Sequence, residues 1–401
     1  MDIYKVGVGD ALKPIEPART PLAAALDHDG NHVIDAAEIR DYLDNRGGID
    51  ERRQTPDAID AMVDDCGHWL ASETTPREAQ YPQLPEMEQQ LRDWASAHPD
   101  IASVRSIGKT LEGRDIMALR IGTGAEGKPG MLVTGTTHAR EWNTLVTAMN
   151  VAKTLIDGYG TDAQATRIVD KGEVWVVPCL NPDGYAYTRS TDPMWRKNRH
   201  PITAQDSQCG GTCQTRDGEA PVGVDLNRNY WDGNPDHIEM YRPAGDKPCD
   251  TSDDSGPGYD DPTTDNFRGP GPASEPEVKA VTSFFLARPN VKGVIDHHSY
   301  GGDIMFPVVN GDPAEAKYRQ LAAGMNAVMD KPYKVLSAND IPIPLGYYSG
   351  VAPFTWNANG KTAFLVEMGT QFQPDADELN ASVKSVTRAD LSLADWIVAQ
   401  G

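Results

Sequence analysis

The chain has 401 residues, enough for one large domain with an appendage or for two domains. Its 37 Lys+Arg against 59 Asp+Glu leave a net charge of −22, the wrong sign for a phosphate-binding surface, so no nucleic-acid partner is expected. No apolar run approaches the roughly 18 residues of a membrane helix, and the opening residues lack the basic end and apolar block of a signal peptide.

Residues 1–77 are acidic and Ala-rich with little β pattern, and are expected to form a separate segment from residues 78–401. Within it, Asp27-His28-Asp29-Gly30-Asn31-His32-Val33-Ile34-Asp35-Ala36-Ala37-Glu38 matches an EF-hand loop. The side chains of Asp27, Asp29, Asn31, Asp35 and Glu38 and the Val33 carbonyl would supply the hard oxygens that calcium prefers. His32 stands at the sixth position, where glycine is expected for the sharp turn. Histidine tolerates positive φ better than most residues, so the loop is weakened but still favours calcium over a plain acidic turn. A helix follows, with Ile39, Tyr42 and Leu43 on one face. The polar stretch Ser72 to Pro85, with three prolines, is the expected linker. Cleavage there, at Arg77 for example, would make the segment a prosegment.

Beyond the linker, Glu86 to His98 places Met87, Leu91 and Trp94 on one helical face. Short apolar runs follow at Ile116 to Ile121, Met131 to Gly135, Val174 to Leu180, Val291 to Ile295 and Ala363 to Val366. Helical patterns at Asn143 to Asp157, Glu275 to Ala287 and Val383 to Ala399 alternate with them. Strands that are apolar throughout are buried on both faces, so the expected fold is α/β, with a mixed, mostly parallel twisted sheet flanked by helices. Residues 199–275 are rich in Gly, Pro and Asp without periodicity and are expected to form active-site loops. Cys179 lies in an apolar run and reads as a buried free thiol, whereas Cys213 and Cys249 sit in polar loops and could form a disulfide.

Ligands of open α/β sheets sit beyond the carboxyl ends of the strands. At those ends the sequence places Thr136-Thr137-His138-Ala139-Arg140-Glu141, then His297-His298-Ser299-Tyr300, and Glu367. A catalytic zinc needs three N or O ligands and an open position. His138, Glu141 and one histidine of the 297/298 pair supply that set, and only one of the two can face the metal because adjacent strand residues point to opposite faces. Alone, the H-x-x-E pair would more often be a surface ion pair.

Other motifs change that balance: Ile107-Gly108-Lys109-Thr110-Leu111-Glu112-Gly113-Arg114, Val177-Pro178-Cys179-Leu180-Asn181-Pro182-Asp183-Gly184-Tyr185, Trp195-Arg196-Lys197-Asn198-Arg199 and Val224-Asp225-Leu226-Asn227-Arg228-Asn229. In this order they resemble the zinc metallocarboxypeptidases of the carboxypeptidase A/B type, from about Tyr81 to the carboxyl end. The resemblance implies zinc held by His138, Glu141 and His298, with His297 spare and Asp225 orienting His138. It implies Glu367 as general base for zinc-activated water and Arg196 as the guanidinium beside the developing oxyanion. Asn227 and Arg228 would clamp the free carboxylate of a peptide substrate, with Arg140 one residue further from the cut. Tyr347, or Tyr348, would close over the bound terminus, and Phe354, with Ala352 and Leu365, would line an apolar specificity pocket.

The expected activity is release of C-terminal residues, preferably hydrophobic ones, from peptides and proteins with a free C-terminus. The expected setting is secreted or periplasmic. A peptidoglycan stem-peptide-trimming relative and an inactive metal-binding recognition protein are the alternatives. Retention of every ligand and of Asn227-Arg228 weighs against both.

Overall fold

The computed structural model describes residues 5–8, 11–15, 22, 23, 26, 27, 31–45, 63, 66, 78–203, 206, 222–235, 241, 260–307, 312–337, 340 and 360–400. The amino-terminal segment, where little β structure is expected from the sequence, contains a small sheet. β1 (Lys5–Val8) pairs antiparallel with β2 (Ala11–Pro14) and parallel with β3 (Val33–Ile34), followed by α1 (Ala36–Asn45). Strands of two to four residues are too short to show a period of two. Val6, Leu26, Ile34 and Ile39 form one buried cluster that also takes in Met194 and Phe372 of the larger unit. The Tyr42 hydroxyl donates to Asp192 Oδ2 at 2.6 Å across the same contact.

Helix α2 (Leu84–Ala97) starts two residues earlier than its apolar periodicity suggests. Pro85 lies in its first turn, where the missing N–H costs nothing, and Gln83 and Glu86 close a capping box. Asn181-Pro182-Asp183-Gly184 likewise begins a helix, α5 (Pro182–Ser190), with proline in its first turn. The Asn181 side chain accepts from the Gly184 N–H.

Among the described residues the larger unit is built on an eight-stranded sheet of order β10-β9-β11-β8-β6-β7-β5-β4. The strands are β4 (Ala102–Lys109), β5 (Asp115–Ile121), β6 (Gly130–Thr134), β7 (Glu173–Val177), β8 (Val291–His298), β9 (Asp303–Phe306), β10 (Lys334–Ser337) and β11 (Thr362–Glu367). The central run β11-β8-β6-β7 is parallel, as expected for strands apolar on both faces. Antiparallel pairs β9–β11, β5–β7 and β4–β5 flank it. β4 escapes the sequence reading because its residues ASVRSIGK are largely polar and partly exposed at the sheet edge.

Alternation sorts the side chains into two cores. Met131, Val133, Val174, Val176, Phe364 and Val366 face α3 (Trp142–Gly158), α4 (Ala163–Lys171) and α8 (Ala376–Ala399). Leu132, Trp175, Val177 and Val294 face α6 (Pro276–Leu286) through Val281, Phe284 and Phe285. The Trp175 and Phe284 rings meet edge to face at 4.9 Å. Helix α7 (Asp312–Asn326) covers β9 and β11 through Tyr318. Among the described residues no helix is long and apolar enough to cross a membrane.

The first turn of α6 carries a buried acidic pair. Asn198 Nδ2 donates to Glu275 at 2.7 Å and to Glu277 at 3.4 Å, and His200 Nδ1 lies 3.0 Å from Glu275. Glu277 Oε1 is buried without a partner. Burial, reinforced by the charge of Glu275, pushes the Glu277 carboxyl up to about 8. The folded protein therefore keeps a proton that the unfolded chain releases near the ordinary carboxyl value of 4.5. Stability from this group is complete below 4.5 and is lost as pH rises towards 8, by at most roughly 1.4 kcal/mol per pH unit. Glu277→Gln is expected to flatten that decline and to be relatively more stable at pH 8 than at pH 4.5, as measured by urea unfolding across the interval.

Candidate metal centre and active site

The site grows from the carboxyl end of β6. Gly135 donates to the Val177 carbonyl at 3.1 Å and accepts from Leu180 N at 3.0 Å, pinning the chain as it leaves the sheet. A Cβ there would meet the Thr144 carbonyl at 2.7 Å and the Pro178 carbonyl at 3.0 Å, so only glycine fits. Thr136 follows at φ 54, held by its own N–H to Thr144 Oγ1 at 2.8 Å and by its hydroxyl to the Pro178 carbonyl at 3.0 Å. This buried loop delivers His138 and then Glu141, which is the N-cap of α3.

The other histidine arrives on β8. Asp296 and His298 share one face of that strand, and His297 turns to the opposite face, where its Nε2 lies 3.0 Å from Asp390 of α8. His138, Glu141 and His298 offer ligand atoms that all lie within 4.8 Å of one another. The two Nδ1 atoms face each other at 3.1 Å. Glu141 Oε1 lies 2.7 Å from His138 Nδ1, and Oε2 lies 3.2 Å from His298 Nδ1 without the angle of a hydrogen bond. Two nitrogens and an orphaned carboxylate oxygen converging in a buried space form the donor set of a three-ligand zinc site. The residues present fit the ion.

Each imidazole has an aspartate behind it. His138 Nε2 lies 3.2 Å from Asp225 Oδ1, and His298 Nε2 lies 3.0 Å from Asp296 Oδ2. Asp296 Oδ1 is fixed in turn by the Thr134 hydroxyl at 2.6 Å. Both arrangements leave Nδ1 pointing inward as the ligand atom. Burial disfavours a charged His298, but Asp296 and Glu141 outweigh it and lift the imidazole well above its ordinary range. Burial would likewise raise Glu141, yet His138 and His298 hold it below the usual carboxylate range. Asp296 was not among the residues singled out from the sequence. Its position two before His298 on a strand, hence on the same face, was the available signal.

Asp225 also serves the rest of the site. Its Oδ2 accepts from Arg196 Nε at 3.1 Å and Nη2 at 2.9 Å, and its Oδ1 accepts from Asn227 N at 2.9 Å, capping the short helix Leu226–Arg228. Burial would raise this carboxyl, but Arg196, Arg228 and His138 hold it well below the usual range. Arg196 remains firmly charged: desolvation is outweighed by Asp225 and Glu141. Glu367 ends β11 in direct register with His298 on β8. Leu365, two residues earlier and so on the same face, is buried beside Met305 and Ala363.

Arg140 is brought to the same region but is engaged. It is buried, lies 3.1 Å from Asp265 Oδ2, and stacks over Phe372 at 4.6 Å. Tyr347, Tyr348, Ala352 and Phe354 lie outside the described residues, as do Asp29, Cys209, Cys213 and Cys249. Cys179 is a buried free thiol, as expected. In the amino-terminal loop the acidic side chains bond their own backbone. Asp27 accepts from His32 N at 3.2 Å, Asp35 Oδ1 accepts from Ala37 N and Glu38 N, and Glu38 Oε2 accepts from Asp35 N at 3.0 Å. His32 adopts φ 61, a left-handed conformation uncommon for a residue other than glycine.

A family model described as zinc carboxypeptidase matches residues 87–385. Carboxypeptidase A5 of Macaca fascicularis is 27% identical over 329 residues, which cover 78% of this chain and 68% of that protein. Carboxypeptidase A2 of Rattus norvegicus is 33% identical over 228 residues, covering 57% of this chain and 46% of that protein. The matched part is thus about half of the rat relative's length. Among solved structures, thrombin activatable fibrinolysis inhibitor aligns with a TM-score of 0.63 at 22% identity, covering 82% of this chain and 81% of that one. Carboxypeptidase A from Helicoverpa armigera aligns with a TM-score of 0.60 at 20% identity, covering 99% and 95%. At these identities the structural likeness establishes the fold.

The aspartate behind His298 yields a measurable expectation. Asp296→Asn removes the charge that orients and strengthens the imidazole while keeping the side chain's shape. Zinc affinity, measured by chelator competition on the full chain, is expected to fall by about 10–100-fold. Unchanged affinity would show that Asp296 does not support the ligand.

Proposed function

The chain belongs to the zinc carboxypeptidase family, and on that premise we propose that it hydrolyses the last peptide bond of peptides and proteins with a free C-terminus. The observation that carries this reading is the convergence of His138, Glu141 and His298 within 4.8 Å, linked through the Asp225 carboxylate to Arg196 and to the turn bearing Asn227 and Arg228.

Zinc, when bound, acidifies a water and polarises the scissile carbonyl. We assign the remaining work to the chain. Glu367, beside His298 in the sheet, takes the proton from the attacking water and returns it to the leaving amine. Arg196, kept charged by Asp225, neutralises the negative charge that develops on the carbonyl oxygen. Arg228 and Asn227 bind the substrate's terminal carboxylate, Arg228 with a planar donor fork suited to that group. Buried Leu365, on the face of Glu367, supports an apolar pocket and hence preference for hydrophobic terminal residues, since a Lys or Glu side chain would be left unpaired there. Calcium in the loop from Asp27 to Glu38 is a separate proposal, supported by the ligand spacing and by the turn at His32.

Two measurements test these readings. A peptide ending in Leu should lose that residue, its C-terminally amidated twin should be far poorer, and Glu367→Gln should lower turnover by several orders of magnitude with zinc retained. Equal cleavage of the two peptides would remove the carboxylate clamp. Calorimetric titration of metal-stripped protein should show calcium binding that Asp27→Ala with Glu38→Gln abolishes. No heat at millimolar calcium would reduce the loop to an acidic turn.

A further inference from the structure

A second pocket lies at the opposite end of the sheet from the metal centre, where β8 and β11 begin. It is an open cleft of about 520 Å³, and Lys292, Lys317, Lys361, Trp396, Pro129 and Gln400 are among its lining residues. Thr362, at its edge, is five strand residues from Glu367, or about 17 Å. The pocket is therefore separate from the site already described.

Three lysines supply its charge. Lys292 Nζ and Lys361 Nζ each donate to the same acceptor, the Pro289 carbonyl, at 2.9 Å, so the two ammonium nitrogens are no more than twice that distance apart. Lys317 Nζ donates to Thr362 Oγ1 at 3.2 Å and stands 5.0 Å from the centre of the Trp396 ring. None of the three forms an ion pair with a carboxylate among the described residues. Lys109, by contrast, pairs with Asp115 at 2.9 Å. In a chain with 22 more acidic than basic residues, Lys292, Lys317 and Lys361 thus line one pocket without a carboxylate partner among the described residues. Like charges this close repel, and a bound anion would relieve that repulsion. The Lys361 ammonium already feels it: burial first, then the charge of Lys292, lowers its proton affinity.

We propose that this pocket binds a small organic anion, with a phosphate or carboxylate group accepting from the remaining N–H groups of Lys292 and Lys361, beside the Pro289 carbonyl, and a flat apolar body against Trp396. The lysines supply charge-assisted donors, and the indole face and the neighbouring Ile397 supply the apolar contact. Selectivity follows from needing both parts: a free inorganic anion lacks the ring, and a neutral aromatic lacks the charge.

The test is calorimetric titration of the full-length, zinc-loaded protein with phenyl phosphate and with phenylacetate, using phenol and inorganic phosphate as controls. At least one of the two aryl anions should bind more tightly than either control, and more weakly as salt increases. The double variant Lys292→Gln/Lys361→Gln should lose at least tenfold in affinity, and Trp396→Leu should lose affinity for the aryl anion but not for inorganic phosphate. Circular dichroism and zinc content should stay unchanged, which distinguishes a lost site from a lost fold. No binding of either aryl anion at millimolar concentrations would overturn the proposal. So would binding that survives the double variant, because the anion would then be seated elsewhere, including at the metal centre.

Discussion

The Asp225 carboxylate is the point on which the site's geometry depends. One oxygen meets His138 Nε2 and the Asn227 N–H, and the other takes two nitrogens of Arg196. A fully buried carboxylate is costly unless its charge is answered, and here it is answered by groups from three separate segments. The orientation of a metal ligand, the position of a guanidinium and the start of the turn bearing Arg228 therefore cannot be varied independently. Displacing Asp225 would leave Arg196 buried without its counter-charge and His138 without its orienting partner.

The sheet provides the matching constraint from the other side. Parallel register sets Glu367 beside His298 and Thr134 beside Asp296, so the expected base, the ligand and the ligand's support come from three adjacent strands. Alternation then decides which histidine of the pair is used. His298 turns with Asp296 towards the site, and His297 turns into the helical layer to meet Asp390. A shift of one residue in β8 would exchange these roles and abolish the donor set.

Much of this was legible in the sequence for a physical reason. Strands buried on both faces must be apolar throughout, so the runs in β6, β7, β8 and β11 stood out, and polar residues at their carboxyl ends were conspicuous by contrast. What escaped was whatever lacked that contrast. β4 is polar because it lies at an edge, and the strands of the amino-terminal segment are too short to alternate visibly. Pro85 and Pro182 act as helix starters although proline in isolation reads as punctuation. Asp296 directly follows the apolar run Val291 to Ile295 and shares a face with His298, but its other partner, the Thr134 hydroxyl, comes from a distant strand and leaves no local trace.

The contact between the amino-terminal segment and the larger unit bears on how the two could ever part. Val6, Leu26, Ile34 and Ile39 share their buried cluster with Met194 and Phe372, Tyr300 packs against it, and Tyr42 is tied to Asp192. Cutting the chain between the two units would break a covalent connection but leave this apolar contact in place, so the pieces would stay associated as a nicked complex. Release would require water to reach Phe372, whose ring also lies under Arg140. The surface around Arg140 would become open to other molecules only once that contact is lost.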